Sequence, residues 1–263
     1  MKVVLFCGGL GLRIRDAESI PKPMVTVGYR PILWHVMRYY AHFGHREFIL
    51  CLGYRGDIIK EYFLAYNEAV SNDFVLRAGG QIELLQSDIQ DWKVTFVDTG
   101  TKASIGQRLR AVERYLEDDE MFLANYSDGV TNLPLPDMIE RFRRSDAIGA
   151  FAAVRPTGSF HVVTHDPTGY VTAIDHLIRS GLRINGGYFI FRRAIFDYLR
   201  PGEDLVEEPF QRLIAERRLL AYAFDGFWAC MDTFKERQML EEMYARGETP
   251  WMVWRPPNGS PEA

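Results

Sequence analysis

Val3-Val4-Leu5-Phe6-Cys7-Gly8-Gly9-Leu10-Gly11-Leu12-Arg13, followed by Pro21-Lys22-Pro23-Met24, is the stretch whose reading decides the fold. The opening apolar run has no polar interruption, so it reads as a strand covered on both faces. It feeds directly into glycines. Gly8, Gly9 and Gly11 carry no Cβ, and backbone N–H groups there can approach an anion closely. Arg13 and Lys22 add fixed positive charge suited to a polyphosphate. Strand, glycine turn and two cations in this order predict a nucleoside triphosphate at the carboxyl end of a first β-strand. The plainer alternative is a turn that only reverses the chain; Arg13 and the Pro-Lys-Pro segment weigh against it. Two other glycine loops fit less well. A dinucleotide-binding G-x-G-x-x-G would use Gly9 and Gly11 but meets Ile14 at its third position, and the P-loop triplet Gly-Lys-Ser/Thr does not occur. An NAD(P) oxidoreductase is disfavoured on the same ground.

The rest of the chain bounds the class. Its 263 residues are 47% hydrophobic and 13% aromatic, enough for a substantial core and against disorder. A net charge of −4 with no basic block argues against nucleic-acid binding. Cys7, Cys51 and Cys230 are odd in number and sit in apolar or aromatic surroundings, the pattern of reduced thiols in a cytoplasmic protein. No His-based pattern accompanies them to make a catalytic thiol. The apolar start is too short for a signal peptide, and no apolar run of about 18 residues exists to cross a membrane. A cytoplasmic location is the expectation.

Strand and helix patterns alternate through the first half. Strands are predicted at Val3–Phe6, Glu47–Leu52, Val94–Val97 and Met121–Asn125. Helices are predicted from Pro31, through Ile58–Tyr66, and over Ile105–Tyr115. This β-α-β order calls for a mostly parallel, Rossmann-like α/β sheet with helices on both faces. The second half mixes strands at Ala147–Val154, His161–Thr164, Val171–Ile174 and Gly187–Phe191 with helices at Pro209–Glu216 and Phe234–Arg246. A turn is expected at Asp166-Pro167-Thr168-Gly169. Nothing of linker composition divides the chain. We expect one domain over 1–254, its additional mixed strands walling off an acceptor pocket, and a loose tail over 255–263.

Two carboxylates stand where a metal ion would be useful. Asp128 ends the apolar run from Met121 on Ser127-Asp128-Gly129, at the carboxyl edge where doubly wound sheets bind ligands. As a turn aspartate before glycine it has an equally ordinary explanation. Asp232 follows Phe227-Trp228-Ala229-Cys230-Met231 and precedes a helix, so it is also a candidate N-cap. Two such carboxylates beside a phosphate-binding turn suit Mg²⁺, which takes one or two carboxylates and completes its shell with phosphates and water. Zinc-type His/Cys spacing is absent.

In these segments and several others the chain resembles a known family. Cys7-Gly8-Gly9-Leu10-Gly11-Leu12-Arg13, Pro21-Lys22-Pro23-Met24, Pro31-Ile32-Leu33-Trp34-His35, Gly53-Tyr54-Arg55-Gly56, Val97-Asp98-Thr99-Gly100, Tyr126-Ser127-Asp128-Gly129-Val130, Ile184-Asn185-Gly186-Gly187-Tyr188-Phe189, Glu208-Pro209 and Phe227 to Thr233 are similar, in this order, to sugar-1-phosphate nucleotidyltransferases, above all the glucose-1-phosphate cytidylyltransferases. The resemblance implies attack by an acceptor phosphate on the α-phosphorus of CTP with release of pyrophosphate, a homo-oligomer, and bound Mg²⁺. It implies nucleotide contacts from Phe6, Gly8, Gly9, Gly11, Arg13, Lys22, Arg108 and Ser127, with Arg13, Lys22 and Asp128 catalytic. Asp128 and Asp232 would hold the metal. His161, Asp175, His176, Arg179, Asn185, Gly186 and Glu208 fall on the acceptor side.

The acceptor side also departs from the family pattern. Relatives carry Glu-Lys-Pro where this chain has Asp175-His176-Leu177, and a glycine where it has His161. Leu12 stands for a hydroxyl residue and Ser127 for a glycine. Losing the lysine removes a permanent cation, which His176, Arg179 or Arg183 is placed to restore. The expectation is a phosphorylated acceptor other than glucose 1-phosphate. Uridylyl or thymidylyl transfer, and a catalytically silent nucleotide-binding homologue, are the alternatives.

Overall fold

The computed structural model describes residues 1–9, 20–158 and 160–255. Gly11, Leu12 and Arg13, and the tail from residue 256, lie outside the described residues. Among the described residues a seven-stranded sheet forms the centre. Val3–Phe6 lies in its interior, parallel to Glu47–Leu52 on one side and to Met121–Asn125 on the other. Lys93–Asp98 extends the sheet in parallel beyond Glu47–Leu52. On the opposite flank Ile184–Arg192 runs antiparallel between Met121–Asn125 and Gly149–Val154, and Leu219–Phe224 closes that edge. The sheet is therefore mostly parallel, and the expected Rossmann-like α/β layering holds.

Alternation along the first strand explains the layers. Val3 and Leu5 enter one core with Leu33, Val36, Met37 and Tyr40 of the Ile32–His42 helix and Phe142 of Leu135–Arg143. Val4 and Phe6 point the other way, onto Leu109 of Ile105–Ala111 and Phe210 and Leu213 of Glu208–Ala215. Because both faces are covered, the strand must be apolar throughout, which is why it reads as an uninterrupted run.

The structure corrects several boundaries. The helix expected over Ile105–Tyr115 ends at Ala111, because buried Val112 adopts φ −101°, ψ 1°; a tighter turn, Glu113–Leu116, follows. The strand expected from Ala147 begins at Gly149, since the N–H groups of Ile148 and Gly149 both donate to Arg218 O. Ile184–Arg192 is longer than the expected Gly187–Phe191. Sequence reading missed the Leu135–Arg143 helix, whose start is masked by Pro134 and Pro136. It also missed the hairpin Phe74–Arg77 and Gln81–Leu84, turned by Gly79 and Gly80, and the edge strand Leu219–Phe224. The Asp166 turn forms as expected, its Oδ1 accepting from Thr168 N and Oγ1 and from Tyr170 N. No helix among the described residues is long and apolar enough to cross a membrane.

Candidate active site

The four parallel strands of the Val3–Phe6 half end at the same edge, and each runs into a functional segment there. Sheet order reverses at Val3–Phe6: the chain continues from it to Glu47–Leu52 and Lys93–Asp98 on one side, then crosses to Met121–Asn125 on the other. This is the switch point at which open α/β sheets bind ligands. Cys7 N–H donates to Cys51 O, and the chain then opens into Gly8 and Gly9. Gly8 O accepts from Tyr54 N and from Arg108 Nη2 at 3.0 Å. Arg108 is 2% exposed, and its Nη1 also donates to Thr99 Oγ1 (2.7 Å) and Leu52 O (3.2 Å). The guanidinium thus ties the glycine turn to the ends of two neighbouring strands. A Cβ on Gly8 would lie 1.9 Å from Arg108 Nη1, so here the absence of a side chain is a packing requirement.

Lys22, Asp128 and Asp232 converge although 210 residues of sequence separate the first from the last. Pro21 and Pro23 hold Lys22 at the start of a single 3-10 turn, with Val25 N–H returning to Lys22 O. Lys22 Nζ donates to Asp128 Oδ2 at 2.6 Å and to Asp232 Oδ1. The two aspartates meet because Gly129–Thr131 pairs antiparallel with Trp228–Cys230, Cys230 opposite Gly129, and Met231 N–H donates to Asp128 O. Thr233 and Glu236 form a capping box on the Phe234–Ala245 helix, and Glu236 Oε2 also accepts Asp232 N–H. Asp232 therefore sits one residue before the N-cap, anchored by its backbone with its carboxylate free to turn inward.

Burial raises the Asp128 carboxyl above its ordinary range, and Lys22 pulls it partly back. For Lys22, burial disfavours the charge, but attraction to Asp128 and Asp232 outweighs it and the ammonium is held above its usual value. Two hard oxygen donors aimed at one cationic point fit a divalent ion of the magnesium type. The described residues contain no group of three or more His, Cys, Asp or Glu able to hold a metal. A metal here would depend on oxygens brought by the ligand. Burial pushes the Cys7 and Cys230 thiols up to about 12, so neither is a thiolate nucleophile.

Beside this cluster lies a cavity of ≈ 650 Å³ lined by Phe6, Gly9, Thr101 to Ile105, Arg108, Tyr126, Asp128 and Asp204. A smaller one of ≈ 60 Å³ reaches Lys22, Pro23 and Ser127. Ser127 is buried at φ +66°, and its Oγ donates to Phe6 O at 2.9 Å. Sequence reading missed Thr101, Lys102, Tyr126 and Asp204. The Ser104-to-Gln107 capping box marks where the 101–104 loop enters a helix, and was the available signal. Asp204 has no local signature; Ser104 Oγ, donating to Glu203 O, brings it in.

None of the acceptor-side candidates lines either cavity. His161 and His176 are cross-strand partners in the hairpin His161–His165 and Val171–His176, with ring centroids 5.1 Å apart. Leu177 N–H donates to Phe160 O, so they form a non-hydrogen-bonded pair, the closer kind. His176 Nδ1 accepts Ile178 N–H at 3.4 Å, which leaves its Nε2 as the donor of the neutral ring. Asp175 pairs with Val162 on the opposite face of the hairpin. Asn185 Nδ2 donates to Tyr126 Oη at 3.3 Å, whereas Gly186 is buried, its O accepting from Trp228 Nε1. Glu208 and Arg179 are exposed. Arg183 is committed to Ala153 O, Phe224 O and Asp225 Oδ1, so it does not replace the missing cation.

A glycine turn, a lysine and paired carboxylates at the switch point of a mostly parallel sheet define a nucleotide-handling α/β protein. No protein-family model matches the chain. It is 35% identical over 257 residues to glucose-1-phosphate cytidylyltransferase of Salmonella typhi, covering 97% of this chain and 100% of the relative. The same identity, over 258 residues, relates it to the probable glucose-1-phosphate cytidylyltransferase of Bacillus subtilis (strain 168), with 97% and 100% covered. Among solved structures, HddC from Yersinia pseudotuberculosis complexed with GMP-PN shares the fold at a TM-score of 0.64 and 20% identity, over 92% of this chain and 99% of that one. The chain belongs to the sugar-1-phosphate nucleotidyltransferase family.

Proposed function

We propose that the chain transfers the CMP moiety of CTP to a phosphorylated acceptor other than glucose 1-phosphate, releasing pyrophosphate. The convergence of Lys22 on Asp128 and Asp232 beside Gly8 and Gly9 carries this reading. An acceptor phosphate oxygen attacks the α-phosphorus, and the bond to the pyrophosphate leaving group breaks. Such transfer needs alignment and charge neutralisation more than covalent catalysis. Lys22 neutralises the α-phosphate and orients the incoming phosphate. The glycine turn, fixed by Arg108, presents backbone N–H groups to the triphosphate, and Arg13 takes the leaving pyrophosphate. Asp128 and Asp232 would hold Mg²⁺, which when bound supplies Lewis-acid neutralisation of phosphate oxygens.

On the acceptor side, the adjacent imidazoles of His161 and His176 support a ligand different from glucose 1-phosphate. They add bulk and hydrogen-bonding nitrogens where relatives have a glycine and a lysine. Pyrophosphate release with CTP, UTP and dTTP against a panel of sugar phosphates, other phosphate esters and phosphonates tests both halves. Preference for UTP or dTTP would reassign the nucleotide. Much faster turnover of glucose 1-phosphate than of every other acceptor would remove the remodelled pocket. No release with any nucleotide would favour a silent homologue. A cytoplasmic homo-oligomer completes the proposal. It is supported by the hairpin Phe74–Arg77 and Gln81–Leu84, one face of which leaves Phe74, Leu76 and Ile82 exposed beside half-buried Leu84.

A further inference from the structure

Tyr126 and Asp204 form a wall of the larger cavity that the glycine-turn, lysine and aspartate motifs do not account for. The Tyr126 ring is seated firmly. It packs edge-on to Phe189 at 5.0 Å and tilted against Phe6 at 6.3 Å. Gly187, at φ +75°, lies against it where a Cβ would come within 2.7 Å of the ring. The direction of its hydroxyl bonding is also set. Asn185 Oδ1 accepts Gly187 N–H at 2.9 Å, which turns Nδ2 toward Tyr126 Oη as donor. Tyr126 Oη is thus an acceptor toward Asn185, and its proton is left to donate elsewhere. The half-buried Asp204 carboxylate has no hydrogen bond or ion pair to any described residue, and it lines the same cavity as Tyr126.

One donor and one acceptor-only group facing the same cavity suit a ligand hydroxyl, which must give and receive at once. An exocyclic amino group would use Asp204 but leave the Tyr126 proton without a partner. The cavity runs from Gly9 and Asp128, its phosphate end, to the 101–105 loop, and the acceptor-side candidates lie outside it. The group joining a nucleotide's phosphate to its base is the ribose. We infer that Asp204 and Tyr126 bind the ribose hydroxyls of the nucleotide, so that the chain selects ribonucleotides over deoxyribonucleotides. The inference rests on the nucleotidyltransferase reading above and adds a recognition element to it. A carboxylate on ribose hydroxyls is the solution reached by dinucleotide-binding sheets.

The test is calorimetric titration of the full chain, in magnesium, with CTP, 2′-deoxy-CTP and 3′-deoxy-CTP. Losing a hydrogen bond to a charged group should make the wild type bind at least one deoxy form about tenfold more weakly than CTP. Asp204→Ala should weaken CTP by a similar factor and leave the deoxy form almost unaffected, collapsing the ratio. Tyr126→Phe should narrow the ratio less, since it removes a neutral partner. A variant that merely perturbs folding lowers both affinities together and leaves the ratio intact, which counts against the inference. So does an Asp204→Ala protein that discriminates as the wild type does, or one in which only acceptor affinity falls. A wild type that binds none of the three nucleotides would instead overturn the nucleotide reading itself.

Discussion

Ser127 shows how one residue can contradict a local rule and be retained by its surroundings. A non-glycine residue at φ +66° costs roughly 1 kcal/mol or more. Its Oγ bond to Phe6 O and its N–H bond to Asn125 Oδ1 offset that cost and lock the segment leading to Asp128. Ser127→Ala keeps the strain and loses the hydroxyl bond, so it should destabilise by about 1–2 kcal/mol. Ser127→Gly relieves the strain while losing the same bond and should lie near neutral; denaturant midpoints compare the two. At Lys22 the effect should fall on chemistry and pH together. Asp128→Ala should abolish turnover with the fold intact, read by pyrophosphate release and circular dichroism. Lys22→Met should abolish turnover too and leave two facing carboxylates without their counter-ion. Its stability should recover as pH falls and Asp128 protonates, whereas the wild type keeps that ion pair at neutral pH.

Among the elements, the turn after the first strand depends on a helix distant in sequence. Arg108 comes from Ile105–Ala111 and spends its donors on carbonyls and a hydroxyl at three strand ends, Gly8 among them. Gly8→Ala places a methyl group on that guanidinium. We expect it to weaken CTP binding at least tenfold, since the turn and Arg108 cannot both keep their places. Titration calorimetry reads the effect, and unchanged affinity would mean that Arg108 yields freely. The hairpin Phe74–Arg77 and Gln81–Leu84 makes the opposite case. Its other face carries the Arg77–Glu83 ion pair and Gln81 beside Val75, so the Phe74, Leu76 and Ile82 face is the more apolar of the two exposed faces. Leu76→Glu with Ile82→Glu should shift the protein to smaller species in light scattering without changing its far-ultraviolet spectrum.

For the whole molecule, acid stability should be governed in part by a histidine remote from the site. His35 is buried among Trp34, Trp251 and Trp254 and bonds Val27 O through Nε2, while Nδ1 has no partner. Burial lowers its pKa to about 4. Between that value and an unfolded value of about 6.5, only the unfolded chain takes up the proton, so stability falls as pH falls. The loss amounts to roughly 3 kcal/mol by pH 4 and then levels off. His45, also lowered to about 4 by burial, adds in the same direction. Thermal melting from pH 7 to pH 4 should show the decline, and His35→Gln should remove about half of it, His45 accounting for a comparable share. A variant with the wild-type slope would place the effect elsewhere.

The sequence by itself determined the sheet's interior and placed glycines and a lysine just beyond its first strand. An uninterrupted apolar strand followed by glycines and a proline-bracketed lysine has few other solutions, and covered parallel strands leave their patterning in the chain. The apolar periodicity of Ile32–His42 and the Asp166 turn were legible for the same reason, since each is stabilised by residues close in sequence. Only the tertiary structure decided that Asp128 and Asp232 share one ammonium, because a two-strand ladder between distant segments brings them together. Likewise, Arg183 looked available until its fold-spanning bonds to Asp225 and two carbonyls were seen, and Asp204 carried no motif at all. Local bonding writes itself into spacing and composition. A side chain's distant partner depends on how the elements pack, and that packing leaves no mark on its neighbours in the chain.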